Sequence, residues 1–352
     1  MNERVARCVT YTEIILEPTD NGLYCPAGDF FVDPGRPVDR AVITHAHSDH
    51  ACPGSRAYLT ARSGEALLRA RVGDEAAIQT VEYGECVRLN GVRVSFAPAG
   101  HILGSAQVRI ESGGEVWVVS GDYKLEADPT CAPFEPAACD TFVTESTFGL
   151  PIFRWPPEAR VLAEIRSWWN ANQQAGKASV LFAYSLGKAQ RVLAGLNTED
   201  APIYTHGAVE YFCRLYRAAG IALPPTMHAG SAPATTDWSR ALILAPPSAN
   251  GTPWMRRFGP LSTGFVSGWM RVRGARRRRS LDRGFVLSDH ADWPGLMSAI
   301  RSSGASRVWV TEGYRVPVAE WLKQQGLDAL PVDTRFDSEQ DETGADPAEA
   351  EP

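Results

Sequence analysis

Residues 41–54, AVITHAHSDHACPG, place three histidines and an aspartate directly after a short apolar run. The chain has only 7 histidines in 352 residues, so this is a concentrated group. If the loop leaves its strand in extended form, His45 and His47 lie on the same side and can share one ion. Asp49 and His50 follow at once and can turn toward a second ion. Imidazole nitrogens and carboxylate oxygens suit zinc or manganese, so the motif predicts a hydrolytic metal site.

Two later strand ends offer further ligands. His101 lies in the glycine-rich loop of APAGHILGSA, and Asp122 follows the apolar run of VWVVSGDYK. The predicted ligands are His45, His47 and His101 for one ion, Asp49 and His50 for the other, and Asp122 as the bridge. Paired divalent ions can activate water between them and neutralise the oxygens of a scissile phosphate. The cluster therefore predicts hydrolysis at a two-metal centre.

Bulk composition sets broad limits. A 44% hydrophobic content supports a folded core. No apolar stretch has the length of a signal peptide or a membrane span, so we expect a cytoplasmic protein. Seven cysteines without CxxC spacing predict reduced thiols rather than a disulfide framework. The net charge of −6 comes from the tail, residues 334–352, which holds seven acids and one arginine. Such a composition is typical of disorder.

Two basic segments are candidates for nucleic-acid binding. Residues 271–283, RVRGARRRRSLDR, carry seven arginines and one acid, and they form either a phosphate-binding strip or a solvated loop. The candidates in this run are Arg271, Arg273, Arg276, Arg277, Arg278 and Arg279. YSLGKAQR places Lys188 and Arg191 at a helix start, where a phosphate could bind. That segment lacks the GxxxxGK[ST] spacing of a nucleoside-triphosphate loop.

The pattern of elements changes near Pro151. The first 150 residues are rich in strand patterns, whereas helices and strands alternate afterwards, as in a parallel-sheet module. PEARVLAEIRSWWNANQQAG, residues 157–176, has proline near its start and glycine at its end, which predicts a helix. The sequence thus indicates an α/β module inserted at 151–285 in a first domain that resumes near residue 286.

These residues resemble the metallo-β-lactamase superfamily, and within it the β-CASP nucleases. The likeness is carried by the histidine cluster, by TESTFG with Glu145, by the long insertion and by SDHAD with His290, in that order. It implies an α/β fold: an αββα sandwich from residues 1–150 and 286–333, a β-CASP insertion domain at 151–285, and a disordered acidic tail at 334–352. It also implies two divalent metal ions, expected to be Zn²⁺, with Mn²⁺ as the alternative.

A narrower resemblance suggests the substrate. GHILGSAQV, FVSGWM and LSDHADWPGL are similar to segments of bacterial ligase-associated DNA exonucleases. This implies a metal-dependent DNA exonuclease in DNA repair, with DNA as substrate and an ATP-dependent DNA ligase and a DExH helicase in the same pathway. No membrane association is expected.

The resemblance also implies catalytic roles for Asp49, Glu145 and His290. Glu145 would support His290, which would contact the scissile phosphate or protonate the leaving oxygen. Asp33 in FFVDPG would orient the histidine cluster from outside the ligand set, although a plain turn aspartate is the alternative.

One position departs from the RNA-cutting relatives. Where they carry a metal-binding histidine followed by glycine, VWVTEGY has Glu312. Artemis-like DNA enzymes also lack that histidine, which favours DNA. Glu312 is a candidate ligand whose oxygen would favour a harder ion such as manganese; alternatively, the second site fills only with substrate.

Three other functions remain open. An RNA-processing β-CASP ribonuclease would use the same metal ligands, because arginine contacts to phosphate do not select DNA. A non-catalytic nucleic-acid-binding subunit would have an incomplete metal site. A small-molecule hydrolase of the lactamase or glyoxalase type would share the scaffold, but the insertion and SDHAD oppose it.

Overall fold

The computed structural model describes residues 14–196, 201–272 and 281–334. Its strands, in chain order, are β1 (Glu17–Thr19), β2 (Gly22–Cys25), β3 (Phe30–Val32), β4 (Ala41–Val42), β5 (Tyr58–Ala61), β6 (Ile78–Val81), β7 (Cys86–Leu89), β8 (Val92–Pro98), β9 (Ala106–Ser112), β10 (Glu115–Val119), β11 (Thr141–Thr144), β12 (Ala178–Phe182), β13 (Ile203–Thr205), β14 (Met227–His228), β15 (Leu242–Ala245), β16 (Leu261–Val266), β17 (Arg283–Phe285), β18 (Arg307–Val310) and β19 (Asp328–Pro331). Its α-helices are α1 (Glu65–Val72), α2 (Glu158–Gln174), α3 (Lys188–Gly195), α4 (Gly207–Ala218), α5 (Trp293–Ser302) and α6 (Arg315–Gln324).

Two sheets form a sandwich. The first runs β1-β2-β3-β4-β5-β6, antiparallel as far as β3 and parallel from β3 onward. The second runs β19-β18-β11-β10-β9-β8-β7, with four parallel strands followed by an antiparallel meander. Val42 and Leu59 of the first sheet share one buried apolar cluster with Phe96 and Trp117 of the second. The core therefore lies between the two sheets, as expected for face-to-face packing.

Helices cover the outer faces of the sandwich. Leu67 and Leu68 of α1 pack on the first sheet beside Tyr58. On the second sheet, α5 and α6 contribute Leu296 and Leu322 to a cluster with strands β11, β18 and β19. The layers are therefore helix, sheet, sheet and helix, and the αββα sandwich predicted from the sequence is confirmed.

A third, wholly parallel sheet belongs to the insertion. It runs β14-β13-β15-β12-β16-β17, and all its strands lie inside the range 151–285 drawn from the sequence. Helix α2 spans Glu158–Gln174, two residues shorter at its C-terminal end than the predicted 157–176 pattern and one shorter at its start. Leu186, Phe212 and Tyr216 of the insertion pack against the loops of the first sheet. In the described chain no helix is both long and apolar enough to cross a membrane.

The inter-sheet core gives a test of the sandwich. Phe96 is 1% exposed between the two sheets, so Phe96→Ala should lower the free energy of unfolding by about 3–5 kcal/mol. The control, Val316→Ala, alters a side chain that is 57% exposed and should change it by less than about 0.5 kcal/mol. Urea unfolding followed by circular dichroism measures both, and equal stability of the two variants would contradict this placement of Phe96.

Candidate metal centre

The ligand candidates come from loops at one edge of the sandwich. The THAHSDH loop follows β4, His101 follows β8 and Asp122 follows β10. His290 precedes α5, and Glu312 follows β18. Strand ends at one edge of packed sheets bring these segments together although they are far apart in sequence.

The carboxylate of Asp122 lies at the centre of the site. Its Oδ2 is 3.3 Å from His45 Nε2 and 3.5 Å from His101 Nε2. Its Oδ1 is 3.6 Å from His50 Nε2. Asp122 thus reaches both histidine groups, the position that a bridging ligand requires.

A glycine allows this close approach. Gly121 has φ of +54°, and a Cβ there would lie 2.6 Å from the side chain of Thr44, the residue before His45. Only glycine fits both the left-handed backbone and this contact. The SGDY turn is therefore built to bring Asp122 against the histidine loop.

The first donor group consists of His45, His47, His101 and Asp122, whose ligand atoms all lie within 4.8 Å of one another. His101 Nδ1 lies 2.9 Å from the Asp289 carbonyl oxygen, and His47 Nε2 lies 3.2 Å from the Leu186 carbonyl oxygen. A carbonyl only accepts, so these ring nitrogens carry the protons. His101 Nε2 and His47 Nδ1, 3.1 Å apart, are then the lone-pair nitrogens that face the centre.

The second donor group consists of His50, Asp122 and Glu312. Glu312 Oε1 lies 3.9 Å and Asp49 Oδ2 lies 3.8 Å from His50 Nε2. Glu312 has φ of +55°, an unusual backbone for a non-glycine residue, and it is buried. The structure therefore brings Glu312 close to His50 and Asp122, and it places Asp49 at the edge of the group.

Asp33 organises the histidine loop from below. Its Oδ2 lies 2.9 Å from His50 Nδ1, and its Oδ1 accepts a 2.8 Å hydrogen bond from the Thr44 backbone N–H. The Thr44 hydroxyl donates to Asp33 and lies 3.0 Å from His45 Nδ1. One buried carboxylate therefore fixes two ligand rings, which is more than a turn aspartate would do.

The residues present fit a divalent metal centre. His45 Nε2 and Asp122 Oδ1 are buried without a hydrogen-bond partner among the described residues. Burial lowers the pKa of His45 well below its ordinary value and that of His101 to about 3, so both rings are neutral, the form that binds metals. Buried neutral imidazoles aimed at a carboxylate are a donor set for a cation.

Burial disfavours the charged form of the carboxyl groups in the site. Burial favours the neutral form of Asp122, but the charges of His50 and His290 hold its pKa well below the ordinary value. Burial raises the pKa of Glu312 well above the ordinary value of a glutamate, and the neighbouring Asp122 carboxylate raises it further. A cation between these two carboxyl groups would offset that repulsion.

His290 and Glu145 form a buried pair beside the metal ligands. His290 Nδ1 lies 2.8 Å from Glu145 Oε2, and Glu145 Oε1 accepts a 2.8 Å hydrogen bond from the Tyr123 backbone N–H. His290 Nε2 faces the centre, 3.9 Å from Asp122 Oδ2. The Trp155 indole N–H donates to the His290 carbonyl at 2.9 Å, which fixes the loop.

The prediction that Lys188 and Arg191 contact nucleic acid is wrong. Lys188 is 0% and Arg191 1% exposed. Lys188 Nζ lies 3.2 Å from Asp289 Oδ1, and the Arg191 guanidinium donates to Asp128. Both cations are buried and paired with carboxylates that are distant in sequence, so neither is accessible to a phosphate backbone.

The arginine run is only partly described. Arg271 is exposed, and its Nε donates to the Ile152 carbonyl at 3.2 Å. The other candidates lie outside the described residues, namely Arg273, Arg276, Arg277, Arg278 and Arg279. Their contact with nucleic acid stays a prediction. The predicted disorder of the acidic tail also stays a prediction, because residues 335–352 lie outside the described residues.

Sequence reasoning missed two groups that orient the ligands. The carbonyls of Leu186 and Asp289 hold His47 and His101, and both come from segments that the sequence analysis singled out for other reasons. Any residue type can supply a main-chain carbonyl, so the sequence carries no signal for this role.

The fold and the donor groups define an αββα protein with two groups of candidate metal ligands that share one carboxylate. Comparison with known proteins agrees, although no protein-family model matches the chain. A "Probable DNA ligase" of Opitutus terrae is 31% identical over 89% of this chain and 30% of its own length. An "RNase J-like protein" of Methanocaldococcus jannaschii is 24% identical over 56% of this chain and 54% of its own length. A solved protein of unknown function from Enterococcus faecalis shares the fold, with a TM-score of 0.52 at 11% identity over 77% of this chain and 74% of that one.

The chain belongs to the metallo-β-lactamase superfamily, in its β-CASP branch. It spans less than a third of the length of the first relative and about half that of the second.

The contacts of Asp33 give a test of the centre. Asp33→Asn removes the charge that holds His50 and the Thr44 backbone, so affinity for divalent metal should fall about 10- to 100-fold. Asp39→Asn, a nearby exposed aspartate, is the matched control and should bind as the wild type does. Titration of metal-free protein with zinc against a chromophoric chelator measures both, and equal affinities in the two variants would refute the role of Asp33.

Proposed function

We propose that the chain is a metal-dependent phosphodiesterase that degrades DNA from its ends, in DNA repair. The observation that carries the phosphodiesterase assignment is the sharing of Asp122 between two donor groups beside the His290–Glu145 pair. Two adjacent cation positions and a separate imidazole are what displacement at a phosphate requires.

The proposed chemistry divides between metal and protein. Two divalent ions, when bound, supply Lewis acidity and an activated water at the scissile phosphate. His45, His47 and His101 would hold one ion, Asp49, His50 and Glu312 the other, and Asp122 both. His290 Nε2 faces this centre, where it holds a proton for the leaving oxygen. Glu145 keeps the ring in that orientation through Nδ1.

The two donor groups favour different ions. The first has three imidazoles and one carboxylate, a set that suits Zn²⁺. The second has one imidazole and the carboxylates of Asp49, Asp122 and Glu312, a set rich in hard oxygen donors that also suits Mn²⁺. We therefore propose zinc in the first position and zinc or manganese in the second.

Two observations support DNA as the substrate. A protein named as a probable DNA ligase matches 89% of this chain, and the matched residues are 31% identical. In addition, the family resemblance implies a histidine in RNA-cutting members at the position where this chain has Glu312. The name of the same relative supports action alongside a DNA ligase. We propose an ATP-dependent ligase and a DExH helicase as partners in the pathway on the sequence resemblance alone. Exposed Arg271 and the arginine run that follows it are the proposed contacts to the DNA backbone.

RNA is the second candidate substrate. The RNase J-like relative matches 56% of this chain, and the histidine and aspartate ligands do not distinguish the two nucleic acids. A ribonuclease would need contacts near the 2′-hydroxyl group.

The substrate is tested with end-labelled single-stranded DNA and RNA of one sequence, with zinc or manganese added. We expect metal-dependent, end-directed loss of DNA that spares RNA. Asp122→Asn should abolish it, because the bridge between the two donor groups loses its charge. Preferential loss of RNA would establish the ribonuclease instead. Binding of both nucleic acids without cleavage would support a non-catalytic subunit.

The role of His290 has its own test. His290→Ala should lower kcat about 100- to 10,000-fold, the usual contribution of a proton-transferring group. His228→Ala, a histidine of the insertion that contacts Ser231, is the matched control and should keep wild-type activity. Steady-state kinetics on the preferred substrate, at equal metal content, compare the two. A His290→Ala enzyme as active as the control would remove His290 from the mechanism.

A further inference from the structure

We propose that the insertion domain assembles the first metal position, and that Lys188 is a positioning residue for it. This inference rests on the metal-binding part of the proposed function. It assigns Lys188 a role in place of the nucleic-acid contact that the structure excludes.

Lys188 acts through Asp289. The ammonium group of Lys188 is 3.2 Å from Asp289 Oδ1, and the two side chains are 0% and 2% exposed. The carbonyl of Asp289 in turn accepts the Nδ1 proton of His101 at 2.9 Å. The ion pair therefore fixes the main chain that orients a first-position ligand.

The turn before Lys188 orients a second ligand. Leu186 offers its carbonyl to His47 Nε2 at 3.2 Å. Gly187, with φ of +90°, lies so close to the His101 loop that a Cβ there would be 2.3 Å from Ile102 Cγ2. One short segment of the insertion, residues 186–188, thus controls the rings of both His47 and His101.

Two further cations hold the same loop. Lys124 Nζ donates to the Ser288 carbonyl at 2.6 Å, and Arg191 Nη1 donates to it at 3.0 Å. Lys124 belongs to the sandwich and Arg191 to α3 of the insertion. The loop of Asp289 and His290 is therefore held by hydrogen bonds from both domains. Lys188 differs from these two cations because it contacts the side-chain carboxylate of Asp289.

This geometry predicts that metal affinity depends on Lys188. In Lys188→Met, Asp289 keeps a buried charge without its ammonium partner, so the loop should shift. Zinc affinity of the full chain, measured by competition with a chromophoric chelator and without nucleic acid, should fall about 10- to 100-fold. Lys177→Met, at an exposed lysine of the insertion, is the control and should match the wild type.

A double variant tests the path through Asp289. Asp289→Asn keeps the carbonyl but removes the charge, so it should also weaken zinc binding. Lys188→Met with Asp289→Asn should bind zinc no more weakly than Lys188→Met alone, because both act on one ion pair. Lys188→Arg, which keeps the charge, should bind more tightly than Lys188→Met. If Lys188→Met does not fold, Asp289→Asn carries the test.

The outcomes separate this inference from the proposed function. Wild-type zinc affinity in folded Lys188→Met, with only a lower melting temperature, would overturn the positioning role and leave the nuclease proposal standing. Additive losses in the double variant would also overturn it. A weakened zinc site in a chain that cleaves no nucleic acid would support the positioning role while refuting the nuclease. A wild type that binds no zinc would overturn both.

Discussion

The carboxylate of Asp122 is buried among imidazole rings, and the loops around it must compensate its negative charge. Asp122 is 3% exposed, and four histidine rings approach it within 3.9 Å. Removing a charge from water costs several kcal/mol unless other charges or hydrogen bonds compensate. The compensation comes from loops of both sheets and from the segment that follows the insertion. The edge of the sandwich is therefore ordered as one unit, in which each loop depends on the charge that another loop supplies.

The insertion contributes contacts that orient the ligands around the buried Asp122 carboxylate. The sandwich supplies the ligand rings, but the carbonyl of Leu186 and the ammonium of Lys188 come from the insertion. Tyr216 of α4 also accepts the Leu103 backbone N–H at 3.2 Å, two residues after His101. Because these contacts are buried, separating the two domains would expose apolar surface and leave two ligand rings without their outer hydrogen bonds. The energetics of the domain interface and of the metal centre are therefore coupled.

The sequence predicted the parts of the site that are local. Three histidines in six positions need no tertiary knowledge to suggest a metal, and the proline and glycine around α2 marked its ends. It failed for Lys188 and Arg191, where a glycine and a base at a helix start looked like a phosphate site. Arg191 pairs with Asp128, 63 positions away, and no pattern near either residue shows that contact. Burial of a charged side chain is decided by a distant partner, and it becomes visible only in the fold.

The residue type at position 312 affects the balance of charge at the centre. A histidine there would add a neutral donor, whereas a carboxylate adds a buried negative charge beside Asp122. Glu312 has a left-handed backbone, and the next residue, Gly313, lies so close to Ser146 that a Cβ there would be 2.4 Å from the Ser146 carbonyl oxygen. The Ser146 hydroxyl in turn donates to the carbonyls of Thr311 and Glu312. The chain thus holds a strained, repelled carboxyl group in place, and only a cation close to both carboxylates would turn that repulsion into binding energy. The second position therefore depends more strongly on its ion than the first, whose rings are neutral and already fixed by outer hydrogen bonds.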